Sequence, residues 1–264
     1  MSDLRTIISS KTPLLKNYKN KNIIETECLL GENFLVIKTE NCYCFGELLT
    51  DNYVGWVETN SLGKKSKTTH KVIVPSTNIY LENNPKSIVL KRLFFGSEIF
   101  VNYFKNDWAN VLIYHHSKII ESYIPKNHLS RKSSTSREWI EVGNKFLNTP
   151  YVWGGKTTSG IDCSALLQLS IKTIGINLPR NAKEQLEFMK NSTKFKEVTL
   201  TKNQNYNKGL IFFWSGHVAF TNRKNSLLHA NAFHMKVVEE PIHKALSRFK
   251  TNGITLLKIF ILNN

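Results

Sequence analysis

Along the first half of the chain, apolar and polar residues alternate in short runs broken by turn signals. CLLGENFLVIKTE (28–40), CYCFGELLT (42–50) and DNYVGWVET (51–59) each have the period of a half-buried strand. Gly31-Glu32 and Asp51-Asn52 mark turns between such runs. GKKSKTTHK (63–71) is polar and basic and reads as a linker. The style then repeats from Val72 to Leu129 in VIVP, TNIYLE, SIVLKRLFFGSEIFVNYF, DWANVLIY and ESYIPKNHL. LLGENFLVI (29–37) is echoed by FFGSEIFVN (94–102), and YVGWV (53–57) by SYIPK (122–126). Two small all-β barrels in tandem, over 21–66 and 71–130, are the economical expectation, with residues 1–20 as a loose leader.

The period changes after residue 130. RKSSTS (131–136) is a polar connector whose hydroxyls can cap a helix over 137–147, where Trp139, Val142, Phe146 and Leu147 share one face. Pro150 stops it, and a Gly-rich loop, GGKTTSG (154–160), follows. A second helix starts at Asp162 or Cys163 and runs to about Ile174, with Gly175 as its C-cap. A third covers 181–190, and a short one, HKALSRFK, precedes the last strand. GLIFFW, HVAFTN, SLLHANA, MKVVEE and ITLLKIFIL read as strands. Helices first and an antiparallel sheet afterwards predict an α+β domain over 136–264.

A chain of 264 residues, 41% of them apolar, suits two or three packed units. The net charge of +16 favours anionic partners. Lysine is scattered, however, with no Arg-rich run and no basic amphipathic helix, so nucleic acid is not an expected partner and an acidic peptide fits equally well. Four cysteines (Cys28, Cys42, Cys44, Cys163) are too few for a disulfide framework. Cys42 and Cys44 lack the C-x-x-C spacing of zinc sites and are expected as buried thiols on one strand face, so no metal is expected there, and a thiol nucleophile needs no other cofactor. The N-terminus has no apolar core of signal-peptide length, and no run of 18 apolar residues occurs. A cytoplasmic protein without a membrane span is the expectation, and no signal bears on oligomeric state.

The candidate chemistry centres on Cys163. It follows an acid, Asp162, at the start of an apolar helix, where exposed N–H groups and the helix dipole favour negative charge. That is the environment of a nucleophilic thiolate, against the alternative of a small buried core residue. Among eight histidines, His217 opens a strand after Gly216 and LIFFW, and His229 lies on the next strand-like run. Adjacent antiparallel strands can set the two rings side by side, His217 as base and His229 as its orienter. Two unrelated half-buried histidines fit the spacing as well, and His234 is a rival for the third position.

YVWGGKTTSGIDCSALLQLSIKTIGINLPRNAKEQ (151–185), with FFWSGHVAF and LLHANA later, resembles the NlpC-type bacterial cell-wall peptidases over about residues 136–262. That family's pattern is Tyr-x-Trp-Gly-Gly, Asp-Cys-Ser-Gly, Leu-Pro-Arg and a Gln, then two His motifs. The two β units resemble bacterial Src-homology-3-like domains. The resemblance implies a papain-like cysteine peptidase that hydrolyses peptidoglycan stem peptides or muropeptides, typically between γ-D-glutamate and a diamino acid. It implies a triad of Cys163, His217 and His229. It also implies that Tyr151, Asp162 and Ser164 help bind a free substrate amine, with Glu27, Glu32 or Tyr53 as first-barrel candidates. Absence of a signal peptide then points to recycling of wall fragments. The rivals are an amidase or acyltransferase on the same nucleophile, and a non-catalytic wall-binding protein. Ala165 replaces the family's Gly after Asp-Cys-Ser, Leu210 its Asp before the first His strand, and Ala219-Phe220-Thr221 its Gly-Ile-Tyr.

Overall fold

A computed structural model describes residues 3–115, 118–199 and 206–263. The chain divides into two compact units at Ser134/Thr135. Among the described residues no helix is long and apolar enough to cross a membrane.

In the first unit, strands β1 (Asp3–Ile7), β2 (Lys11–Leu15), β3 (Ile24–Leu29), β4 (Asn33–Glu40), β5 (Tyr43–Leu48), β6 (Tyr53–Glu58) and β7 (Leu62–Lys64) form one sheet. Its order is β3-β2-β6-β5-β4-β1-β7. The leader expected over 1–20 is therefore corrected: from Asp3 to Leu15 it supplies two strands. The physical reason is burial, since Ile7 and Leu14 are fully buried beside Phe34, Leu48 and Val57. Cys28 and Cys44 join that core as free thiols, but Cys42 is exposed. It sits in the left-handed turn before β5 (φ 63°), not on the strand face expected of it.

β8 (His70–Val72), β9 (Ser76–Tyr80), β10 (Val89–Phe94), β11 (Glu98–Ile99), β12 (Val101–Lys105), β13 (Trp108–His115), β14 (Lys118–Pro125) and β15 (Leu129–Arg131) follow. They pair as β10-β9-β14-β13-β12 and β11-β8-β15. This is the order of the first sheet with its β4 position divided between β11 and β12. The turns repeat as well. Gly31 (φ 88°) and Gly96 (φ 85°) both adopt the left-handed conformation that glycine tolerates. Gly31 N–H donates to the Ile7 carbonyl at 2.9 Å, and Gly96 N–H to that of Val72 at 3.0 Å. Ile7 and Val72 donate back to Glu32 and Ser97, each at 2.9 Å. The internal likeness read from LLGENFLVI and FFGSEIFVN is thus a likeness of backbone geometry. The expected linker narrows to residues 65–69, because Leu62–Lys64 and His70–Val72 are strands.

The second unit contains α1 (Trp139–Asn144), a hairpin of β16 (Lys156–Thr157) and β17 (Gly160–Ile161), α2 (Cys163–Lys172) and α3 (Ala182–Asn191). β18 (Phe195–Glu197), β19 (Ile211–Trp214), β20 (His217–Arg223), β21 (Ser226–Asn231), β22 (Lys236–Pro241), α4 (Ile242–Thr251) and β23 (Leu256–Leu262) complete it. The sheet is antiparallel, in the order β18-β23-β19-β20-β21-β22. The hairpin lies where a plain Gly-rich loop was expected, and Lys156 and Thr157 are buried in it. α4 supplies Ile242, Ala245 and Phe249 to a core with Phe212, Trp214 and Leu227. α1 approaches β20 closely because residue 143 is glycine: a Cβ there would lie 2.4 Å from Cζ of Phe220.

The start of α2 is fixed by a buried ion pair. Asp162, the N-cap, accepts from Ala165 N–H at 2.8 Å and Gly154 N–H at 3.0 Å. Arg180, 1% exposed, grips both carboxylate oxygens, at 2.9 Å through Nη1 and 2.6 Å through Nη2. It also donates to Ser164 Oγ at 2.8 Å and to the Gly155 carbonyl at 3.3 Å. Gln185 donates to the carbonyls of Ser164 and Pro179, each at 2.9 Å. Arg180 and Gln185 of the Leu-Pro-Arg…Gln stretch thus converge on the two residues flanking Cys163.

Two outcomes are expected. Arg180→Met leaves a buried carboxylate without its cation and should destabilise the protein by about 3–5 kcal/mol in urea denaturation, while Arg180→Met with Asp162→Asn recovers part of the loss. Gly143→Ala overpacks the α1–β20 contact and should lower stability by about 1–3 kcal/mol in the same assay.

Candidate active site

Cys163 is the first residue of α2, 7% exposed. α2 packs against β20 and β21. The backbone N–H groups of Val218 and Ser164 lie within hydrogen-bonding reach of the sulfur. Val218 directly follows His217, so the helix tip and the start of β20 meet at the thiol. Tyr151, half-buried, is close enough to feel the charges of Cys163 and Asp162.

The two histidines expected as a pair are one. His217 Nε2 and His229 Nδ1 are 2.9 Å apart. The His217 ring packs against Trp214 and Phe249, with centroids at 5.8 and 5.5 Å. His229 is fully buried, and its Nε2 lies 2.8 Å from Oε1 of Glu240. The sheet register explains the contact. His229 pairs with Val238 and Leu227 with Glu240, which sets Glu240 diagonally from His229 on the same face. Arg248 of α4 donates to both oxygens of Glu240, 2.8 Å from Oε2 through Nη1. His234, the rival third residue, is not beside His217; its Nε2 faces Oε2 of Glu240 at 3.7 Å.

Burial sets the protonation of this site. It pushes the Cys163 thiol up to about 12, Asp162 adds to the effect, and the Val218 N–H and Arg180 only partly offset it. It pulls His217 down to about 3, assisted by His229 and Arg248 and opposed by Glu240. The Tyr151 hydroxyl is likewise raised, to about 12, by burial and then by Cys163 and Asp162. The direction of the Cys163 shift runs against the thiolate expected at the helix tip. Loss of water disfavours charge on both groups, while the N–H groups of Val218 and Ser164 favour it at the sulfur. Burial opposes charge on Glu240 too, yet its hydrogen bonds to Arg248 and His229 hold it well below the usual carboxylate range.

Asp162 and Ser164, expected to hold a substrate amine, also have partners within the protein. Both oxygens of Asp162 accept from Arg180 and from backbone N–H groups, and Ser164 Oγ donates to Asp162 at 3.1 Å. In the first unit, Lys11 pairs with Glu27, Glu32 accepts from Leu29 N–H at 2.7 Å, and Tyr53 donates to Glu25 at 2.6 Å. Leu210 joins the α4-side core, and its N–H is taken by Thr221 Oγ1 at 2.8 Å. Thr221 lies within the stretch that departs from the family's Gly-Ile-Tyr, so the two departures meet in one hydrogen bond. Among the described residues no three His, Cys, Asp or Glu side chains gather in a way that could hold a metal ion. Sequence reading missed Glu240, Arg248 and the clamp role of Arg180. An acid at the end of MKVVEE, two residues beyond the one opposite His229, was the available signal for the first.

Comparison with known proteins places the chain among cell-wall peptidase relatives. Residues 148–255 match the NlpC/P60 family, and residues 18–62 match the bacterial dipeptidyl-peptidase Sh3 domain. The chain is 27% identical to a gamma-D-glutamyl-L-lysine dipeptidyl-peptidase of Bacillus subtilis (strain 168), over 62% of this chain and 58% of that protein. It is 28% identical to dipeptidyl-peptidase 6 of Lysinibacillus sphaericus, over 50% of this chain and 41% of the relative. It thus spans less than two thirds of these curated relatives. The fold is shared with an NlpC/P60 family protein from Bacillus cereus ATCC 10987, at a TM-score of 0.73 and 18% identity, covering 90% of this chain and 94% of that one. The chain therefore carries an NlpC/P60-family domain over residues 148–255 and a bacterial dipeptidyl-peptidase Sh3 domain over residues 18–62.

Proposed function

We propose that the protein is a cysteine peptidase that hydrolyses peptidoglycan-derived peptides at the bond between γ-D-glutamate and a diamino acid. The observation that carries this reading is the meeting of the Cys163 sulfur with the start of β20, where His217 is backed by His229 at 2.9 Å. The name of the Bacillus subtilis relative supplies the γ-D-glutamyl–diamino acid bond, and that of the Lysinibacillus relative the dipeptidyl-peptidase action.

His217 takes the Cys163 proton as the sulfur attacks the γ-glutamyl carbonyl. Burial disfavours charge on both groups, so proton transfer accompanies the attack. Backbone N–H groups at the α2 start then receive the oxyanion. The His217 imidazolium gives its proton to the departing amine as the C–N bond breaks. Water, deprotonated by His217, cleaves the thioester and restores the thiol. Tyr151 contributes a protonated hydroxyl beside the sulfur. Asp162 and Ser164 lie next to it, and their negative edge, shared with Arg180, favours a substrate amine through its field. The second β unit is read as a further Src-homology-3-like domain, because its strand order and Gly96 turn repeat those of the first.

Wild-type protein should release L-alanyl-γ-D-glutamate from free tripeptides and tetrapeptides, as separated by liquid chromatography. Cys163→Ala should abolish release, and a blocked substrate amine should raise KM. Cleavage by Cys163→Ala, or release of an amide product with no peptide cut, contradicts the reading.

A further inference from the structure

Glu240 lies one step behind the proposed triad. Resting on the reading of Cys163 and His217 as nucleophile and base, we infer that Glu240 and Arg248 are positioning residues that set the tautomers of both histidines, leaving Nδ1 of His217 as the proton acceptor.

The derivation runs through hydrogen-bond roles. A carboxylate accepts and never donates. Glu240 receives both arms of Arg248, so His229 Nε2, 2.8 Å from Oε1, is the donor. A neutral His229 with its proton on Nε2 presents a bare Nδ1. His217 Nε2, 2.9 Å away, must then carry a proton and donate it. The remaining nitrogen of His217, Nδ1, is bare and is the base. One carboxylate on β22 thereby determines which atom on β20 accepts a proton, across three adjacent strands.

Arg248 has a double effect. It holds Glu240 in place, and its own guanidinium stacks on Phe233 and Phe249, with centroids at 4.4 and 5.5 Å. Its charge also opposes protonation of His217, whereas Glu240 favours it. The charged and titratable groups facing Glu240 are His229 from β21, Arg248 from α4, and His234 from the turn before β22.

Glu240→Gln makes the logic testable. Glutamine has a single oxygen, and Arg248 competes for it, turning the amide N–H₂ toward His229. That reverses both tautomers and places a proton on His217 Nδ1. The expected loss in kcat is on the order of 10-fold or more, with partial recovery in Glu240→Asp. The acid limb of kcat/KM should move to lower pH in Glu240→Gln and to higher pH in Arg248→Met, since the two charges act oppositely on His217. A purely structural role would reduce the folded fraction without moving the limbs in opposite directions.

The imidazole ¹⁵N NMR spectrum of the unaltered protein decides the matter without any variant or substrate. Protonated Nε2 and bare Nδ1 on both His217 and His229 supports the inference; a protonated His217 Nδ1 overturns it. Wild-type kcat and an unmoved acid limb in Glu240→Gln also overturn it. If the wild type cuts no peptide, the peptidase reading fails while the NMR result still decides the tautomers.

Discussion

The pairing of Arg180 with Asp162 is the constraint from which the site's geometry follows. A helix can begin anywhere its cap is satisfied, but here the cap is also one half of a buried ion pair. The same guanidinium holds Ser164 Oγ and the Gly155 carbonyl, so the residues on both sides of Cys163 are tied to one cation. The sulfur is thereby delivered to the start of β20 rather than to a point along α2. Residues that a family likeness assigns to substrate contact are thus also the frame of the nucleophile.

The second requirement is a dry surround. Trp214 and Phe249 flank His217, and His229 has no exposure at all. Dryness makes every charge costly, on the thiol and on the imidazole alike. It also makes hydrogen-bond direction consequential at His229, which is out of solvent's reach. A line of acceptors and donors ending in an ion pair suits such an environment better than a lone base would.

Much of this was legible in the sequence. The period change near residue 130, the helix beginning at Cys163 and the strands bearing His217 and His229 are local patterns, and the structure has them. What escaped was set by long-range burial. Lys11 to Leu15 carries Lys, Thr and Pro, and reads as loose until Leu14 is seen against Phe34. Cys42 reads as a strand residue until the turn before β5 takes a left-handed conformation. Glu240 ends a strand of ordinary appearance, and nothing local reveals that His229 lies diagonally opposite or that α4 returns Arg248 to it. The thiol's surroundings escaped for the same reason: a helix terminus is visible in sequence, and the depth at which it is buried is not.

That depth has a further effect on durability. Peroxides and disulfides attack thiolates, and they attack those that solvent reaches. Cys42, on its exposed turn, meets such oxidants first, while Cys163 is shielded by burial. The nucleophile is kept out of harm between turnovers by the same apolar enclosure that delays its ionisation.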